Sequence, residues 1–167
     1  TSLMLVRDME LADCEVVAEI HVKAWHKVYP GIMPQDFLDQ LDISKRTEAW
    51  RAGMEKDPSL IRLVVEESNH VIGFCVGLHN RTPHLVPEAV GEIWAIYLHP
   101  EHWGRGGGSL LLKAFQERLQ SSFCIWVARE NKIGHRFYQK TGGKLLPAIK
   151  DEDIAGTKIP HQVYFYP

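Results

Sequence analysis

"IWAIYLHPEHWGRGGGSLLLKAFQERL", Ile93 to Leu119, decides how this chain is read. An apolar run meets a proline, then a glycine-rich turn, then an amphipathic helix. Gly104, Gly106, Gly107 and Gly108 stand just before Ser109 and the run Leu110-Leu111-Leu112. Glycine lets a backbone approach a ligand closely and adopt conformations that a side chain forbids. The first N–H groups of the following helix have no carbonyl partner inside it, and the helix dipole adds partial positive charge there. Such a turn is an anion cradle, with phosphate its usual guest. Residues 104–109 are therefore expected to hold a phosphorylated cofactor.

Outward from that turn, Glu92–Leu98 reads as the strand that enters it and Ser109–Leu119 as the helix that leaves it. Upstream, Leu3–Met9 reads as a first strand. Asp13–His26 reads as a helix, with Val17, Ile20, Ala24 and Trp25 repeating near 3.6 residues. "YPGIMP" (Tyr29–Pro34) breaks it, and Pro34 suits the start of a second helix with Phe37, Leu38 and Leu41 on its apolar side. Ser44 is expected to N-cap a third helix through Met54. "LIRLVVEES" and "HVIGFCVGLHN" are two strands joined at Ser68–His70, followed by a proline-rich loop over residues 80–91.

"FCIWVA" (Phe123–Ala128) is wholly apolar, the mark of a central strand. Asn131–Lys140 reads as a helix stopped at Gly142, and "KLLPAI" and "HQVYFY" as closing strands. The order β-α-α-α-β-β-β-α-β-α-β-β predicts an α/β fold, a mixed sheet with helices on both faces, as one domain over residues 1–167.

Composition narrows the function. Of 167 residues, 45% are hydrophobic and 24% charged, with a net charge of −2. That is ordinary for a globular protein and gives no basic footprint for nucleic acid. No stretch reaches the 18 or more apolar residues of a membrane helix, and no secretory leader is seen. Cys14, Cys75 and Cys124 are odd in number and far apart, so free buried thiols and a cytoplasmic setting are expected. His21/His26 and His99/His102 match no metal-site spacing, and no metal is expected.

Three phosphate-binding turns compete for residues 104–109. A P-loop requires a lysine before the serine, and none precedes Ser109. A dinucleotide fingerprint requires a third glycine where Ser109 stands, in a tight strand-to-helix turn; here Pro100–Trp103 intervene. The third solution fits: "YLHPEHWGRGGGSLLL" resembles the acetyl-CoA-binding motif of the GNAT acetyltransferase superfamily, with Trp103, Gly104, Arg105, Gly106, Gly107 and Gly108 at its positions. "WVARENKIGHRFYQKTGG" resembles that family's second signature. "AWHKVYPGIMPQDFLDQL" resembles the helical segment that many bacterial members carry after the first strand. Trp103 departs from the usual Gln or Arg, Gly134 from a common alanine and Gly143 from the usual aromatic. Backbone amides do the gripping, so the cradle should survive.

The resemblance implies an N-acetyltransferase with acetyl-CoA (CoA) as cofactor, moving an acetyl group by direct transfer to a primary amine on a small molecule or peptide. It implies that Tyr138 donates a proton to the departing thiolate, that Asn131 contacts the pantetheine arm, and that a backbone N–H of Tyr97 or Leu98 polarises the thioester carbonyl. Helical geometry is compatible: Asn131 and Tyr138, seven residues apart, lie within roughly 20° of each other on one face, with Ile133 and Phe137 on a core face opposite. Asn131 also reads as an N-cap and Tyr138 as a packed aromatic.

An acceptor ammonium must lose a proton before it attacks. Glu92, which opens the strand into the turn, is the leading base candidate, with the alternative of an ordinary strand-end carboxylate; Glu88 is a weaker one. Trp25, Tyr29 and Trp94 offer aromatic faces for an acceptor ammonium or, alternatively and above all for Trp94, core packing. A non-catalytic CoA-binding module is the alternative function. The apolar final strand could pair with a second copy.

Overall fold

The computed structural model describes residues 3–167. The elements run β1 (Met4–Asp8), α1 (Cys14–Val28), α2 (Gln35–Asp39), α3 (Ile43–Lys56), β2 (Ile61–Glu67), β3 (His70–His79) and β4 (Gly91–Leu98). Then come α4 (Gly107–Leu119), β5 (Phe123–Ala128), α5 (Lys132–Lys140), β6 (Lys144–Ile154) and β7 (Thr157–Tyr166). This is the expected order. The strands form one seven-stranded mixed sheet, β1-β2-β3-β4-β5-β7-β6, in which only β4 and β5 pair in parallel.

Period-2 alternation, reset on β3 by a bulge at Ile72, assigns the two faces of the sheet. Leu63, Val65, Ile72 and Ile93 bury one face against Leu111, Leu112 and Phe115 of α4. Val64 and Phe74 bury the other against Cys14, Val17 and Ile20 of α1, with Trp50 and Met54 of α3 alongside. Each such side chain contributes about 1.5–3 kcal/mol of burial. The three cysteines are buried free thiols.

Two hairpins turn on residue pairs with positive φ: Ser68 (52°) and Asn69 (67°) between β2 and β3, and Ala155 (51°) and Gly156 (85°) between β6 and β7. Positive φ at both central positions twists a two-residue turn to match right-handed strands. The second hairpin lengthens β6 to Ile154 and starts β7 at Thr157, well beyond the expected "KLLPAI" and "HQVYFY". Two further expectations are corrected. Asp42, not Ser44, caps α3, accepting from the Lys45 amide at 2.9 Å. The apolar final strand β7 is interior, paired with both β5 and β6, so it offers no free edge to a second copy.

The site is set up by how β4 leaves its neighbours. Val76 faces Ala95 and Gly77 faces Ile93, so Trp94 is an extra residue bulged out of β4. A bulge bends and twists its strand. Beyond the pairs Gly91↔Phe123 and Glu92↔Cys124, β4 and β5 part company.

His21 of α1 sits among the rings of Trp25, Trp50, Phe74 and Tyr97, at centroid distances from 5.2 to 6.2 Å. Burial lowers its pKa from 6.5 to about 3, with Arg46 adding to the effect. The unfolded chain therefore binds a proton that the folded one refuses between those values, and stability drains as pH falls through that window. Urea melts should lose about 1.4 kcal/mol for each unit below pH ~6. His21→Phe should flatten the slope above the carboxylate range.

Candidate active site

After β4 the chain makes a short 3-10 turn at Pro100–His102 and the Trp103 indole N–H donates to the Leu98 carbonyl at 2.9 Å. The position where a Gln or Arg was expected thus clamps the strand to the turn. Gly104 and Gly106 take φ of 78° and 95°, a region that L side chains rarely enter. A Cβ at either would meet no atom within 4 Å, so both glycines border open space. The first intrahelical bond of α4 runs from the Leu110 amide to the Gly106 carbonyl at 3.2 Å. The amides of Gly107, Gly108 and Ser109 are left without a helical acceptor. A row of free N–H groups over open space fits a pyrophosphate. The Arg105 guanidinium turns aside to Glu67 Oε1 at 2.9 Å and ties the turn to the end of β2. Gly106→Val should weaken CoA binding at least about tenfold by calorimetry, through strain at positive φ and an obstructed cradle; wild-type affinity in that variant would exclude the turn as the phosphate site.

The turn opens onto a cleft of about 260 Å³ lined by Ile96, Tyr97, Leu98, Asn131, Phe137 and Tyr138 among others, with Ser109 and Trp103 at its rim. The register fixes which amide of β4 points into it. The His99 amide donates to the Ile72 carbonyl at 2.8 Å. In an antiparallel ladder alternate residues bond to the neighbour, so the Tyr97 amide faces β3 and the Leu98 amide faces the gap toward β5. Of the two backbone donors expected, only Leu98 is aimed at the cleft. Tyr97 contributes its side chain, whose hydroxyl lies 3.0 Å from that of Tyr29.

Asn131 caps α5, its Oδ1 accepting from the Gly134 amide at 2.9 Å, while the same residue lines the cleft. The departure at Gly134 has a steric reason. An alanine methyl there would lie 2.8 Å from Asn131 Nδ2 and 3.0 Å from Val127 Cγ2. At Gly143 a Cβ would meet the Tyr166 ring at 2.8 Å, so Tyr166 fills the space beside it. Tyr138 is buried, and burial drives its phenol far above the ordinary value, helped by neighbouring Tyr29. Its carbonyl accepts from the Gly143 amide at 2.8 Å and from the Thr141 and Tyr166 hydroxyls. Its hydroxyl has no protein partner among the described residues.

The remaining candidates lie elsewhere. Glu92 is fully buried at the closed end of the β4–β5 pair, roughly 20 Å of strand from Leu98. It accepts from the Arg81 amide at 2.9 Å and from the Arg81 guanidinium at 2.6 and 3.1 Å. It is neither an exposed strand-end carboxylate nor part of the cleft lining. Glu88 is exposed on the loop before β4, where its carbonyl accepts from Ser122. The Trp94 ring is covered by Arg81 at 4.7 Å and its indole donates to the His79 carbonyl. Trp25 and Tyr29 pack edge to face at 5.1 Å, and Trp25 also meets Tyr97 at 6.2 Å. These two border the cleft through Tyr97. Phe137 packs against the core as expected and also lines the cleft, abutting the head of α4 at Gly108. Ile133, expected on the same core face, is exposed and lines the cleft.

Residues 16–143 match the Acetyltransferase (GNAT) family. The chain belongs to the GNAT acetyltransferase family. As a GNAT member it is an acetyl-CoA-dependent acetyltransferase. It is 30% identical over 161 residues to the uncharacterized N-acetyltransferase YuaI of Bacillus subtilis, spanning 94% of this chain and 89% of that one. It is 24% identical over 150 residues to a spermidine N(1)-acetyltransferase of Thermoplasma acidophilum, spanning 84% and 88%. The PaiA N-acetyltransferase of Thermoplasma acidophilum, crystallised with coenzyme A, shares the GNAT fold at a TM-score of 0.71 and 20% identity, covering 96% and 98% of the two chains. Among the described residues no helix is long and apolar enough to cross a membrane.

Proposed function

We propose that this acetyltransferase, acting as one N-acetyltransferase domain, transfers its acetyl group directly to a primary amine carried by a small cationic molecule or a peptide, with Tyr138 as proton donor. Acetyl-CoA supplies a thioester activated for attack. The free amides of Gly107, Gly108 and Ser109 hold its pyrophosphate, and the Leu98 amide is the donor available to a developing oxyanion. The observation that carries the reading is the Tyr138 hydroxyl, buried on the cleft wall, protonated, and unspent on any protein acceptor.

Burial keeps the Tyr138 phenol protonated. Sulfur departing beside Tyr138 therefore gains from a hydrogen bond that the phenol is always protonated to give. For the acceptor, Trp25, Tyr29 and Tyr97 supply aromatic faces suited to an ammonium. The spermidine-acetylating relative supports a cationic primary amine as the class.

The test is a panel of primary amines, N-terminal peptides and alcohols with acetyl-CoA, read by thiol release and mass of the product. Amide products from cationic primary amines are expected. Acetylation confined to hydroxyl acceptors would overturn the reading.

A further inference from the structure

Between Trp103 and Ser109 the turn carries a single side chain, that of Arg105; Gly104, Gly106, Gly107 and Gly108 have none. Glycine loses more conformational freedom on ordering than any other residue. Among the described residues the amides of Gly104, Arg105 and Gly106 donate to no backbone carbonyl. Whatever fixes this stretch must therefore act at its ends or through Arg105. The Trp103 indole secures the start, and the Gly106 carbonyl, accepting from the Leu110 amide, joins the end to α4. Arg105 is the one handle in between.

That handle is held by Glu67, the last residue of β2. Alternation along β2 puts Glu67 on the same face as Val65. Val65 lies beneath the turn: a Cβ at Gly107 would stand 3.7 Å from Val65 Cγ1 and 3.0 Å from Leu98 Cδ1. The Glu67 side chain is only 8% exposed, and its Oε1 accepts from Arg105 Nη1 at 2.9 Å. The same Nη1 meets His102 Nδ1 at 3.3 Å. A guanidinium nitrogen only donates, so His102 Nδ1 is the acceptor. A carboxylate from β2 and an imidazole from the 3-10 turn thus converge on one nitrogen of Arg105. Glu66, on the opposite face, is spent on Arg7 at 2.8 Å, which leaves Glu67 to the turn.

We propose that Glu67 is a positioning residue for the cofactor: by holding Arg105 it fixes the glycine turn in the shape that receives the pyrophosphate. The proposal rests on the reading of residues 104–109 as that cradle. Two effects of Glu67 oppose each other. Its negative charge works against an anionic ligand, while its grip spares that ligand the cost of ordering the glycines. Paired with Arg105 at 2.9 Å, the carboxylate shows little net charge, so the ordering effect wins. A direct contact from Arg105 to phosphate predicts the opposite sign, because releasing the guanidinium from Glu67 would then tighten binding.

Two ligands separate the turn from the rest of the fold: CoA, and pantetheine, which has the same arm without the phosphates. In Glu67→Met the Kd for CoA by calorimetry should rise about tenfold, while the Kd for pantetheine by NMR titration stays within about twofold. Glu67→Gln keeps an acceptor oxygen but not the charge, and should raise the CoA value about threefold. In an Arg105→Gln background Glu67→Met should cost nothing further, since both act through one contact. Three results each overturn the proposal: CoA bound as tightly or more tightly by Glu67→Met, an equal loss for both ligands, or a loss that persists in the Arg105→Gln background. Should Glu67→Met fail to fold by circular dichroism, Glu67→Gln decides alone by the same comparison of ligands. Failure of the cradle reading shows separately, as wild-type CoA affinity in Gly106→Val, and takes the proposal with it.

Discussion

Tyr138→Phe is expected to lower kcat for acetyl transfer by about 10²-fold while CoA affinity stays within about twofold. The two effects separate because the hydroxyl and the ring do different things. The ring packs against Phe137 and Tyr164, each with centroids 5.4 Å away, and phenylalanine keeps those contacts. Among the described residues the hydroxyl has no partner, so its removal orphans none and the melting temperature should hold. Tyr164→Phe is the control: its hydroxyl meets His135 at 2.8 Å and Gln139 at 3.2 Å, and its loss should cost stability of about 1 kcal/mol. Stopped-flow turnover with calorimetric CoA titration reads the first variant. Undiminished kcat would remove Tyr138 from the chemistry.

The largest effect on stability is expected from Arg81→Ala, about 3 kcal/mol, or roughly 10 °C in melting temperature. Glu92 is fully buried and Arg81 meets it through both guanidinium and amide, with the guanidinium also over the Trp94 ring. Truncation leaves a carboxylate in the interior with only the backbone amide. The half-exposed guanidinium places the value at the lower end of what breaking a buried pair costs. Glu92→Gln in the Arg81→Ala background should recover part of the loss, because no charge is then stranded. A thermal melt of the two variants within 2 °C of wild type (about 0.5 kcal/mol) would show the pair to be energetically idle.

The turn's conformation was legible because glycine spacing speaks directly to the backbone: Gly104 and Gly106 do take positive φ. Apolar patterning gave the order of strands and helices for the same local reason. What escaped depends on residues that meet only after folding. "KDEDIAGTKIP" lies between the two expected closing strands, yet Ala155–Gly156 turns it into a hairpin, and only then do Glu152 and His161 face each other. Spacing rules for histidine look for metals and pass over such a pair. Glu92 reads as a general base or a strand-end carboxylate until the loop returns Arg81 to it, eleven residues back along the chain. Between Tyr97 and Leu98 the chain gives no preference; the ladder register supplies it.

The early divergence of β4 and β5 has a thermodynamic corollary. Two inner edges of main-chain donors and acceptors face each other there, and an amide-bearing ligand arm laid between them acts as a guest strand that mends the sheet. Occupancy and folding are then linked quantities: melting temperature should climb with the logarithm of ligand concentration. Amide exchange at Leu98 should slow on saturation more than at any position on β1, the far edge.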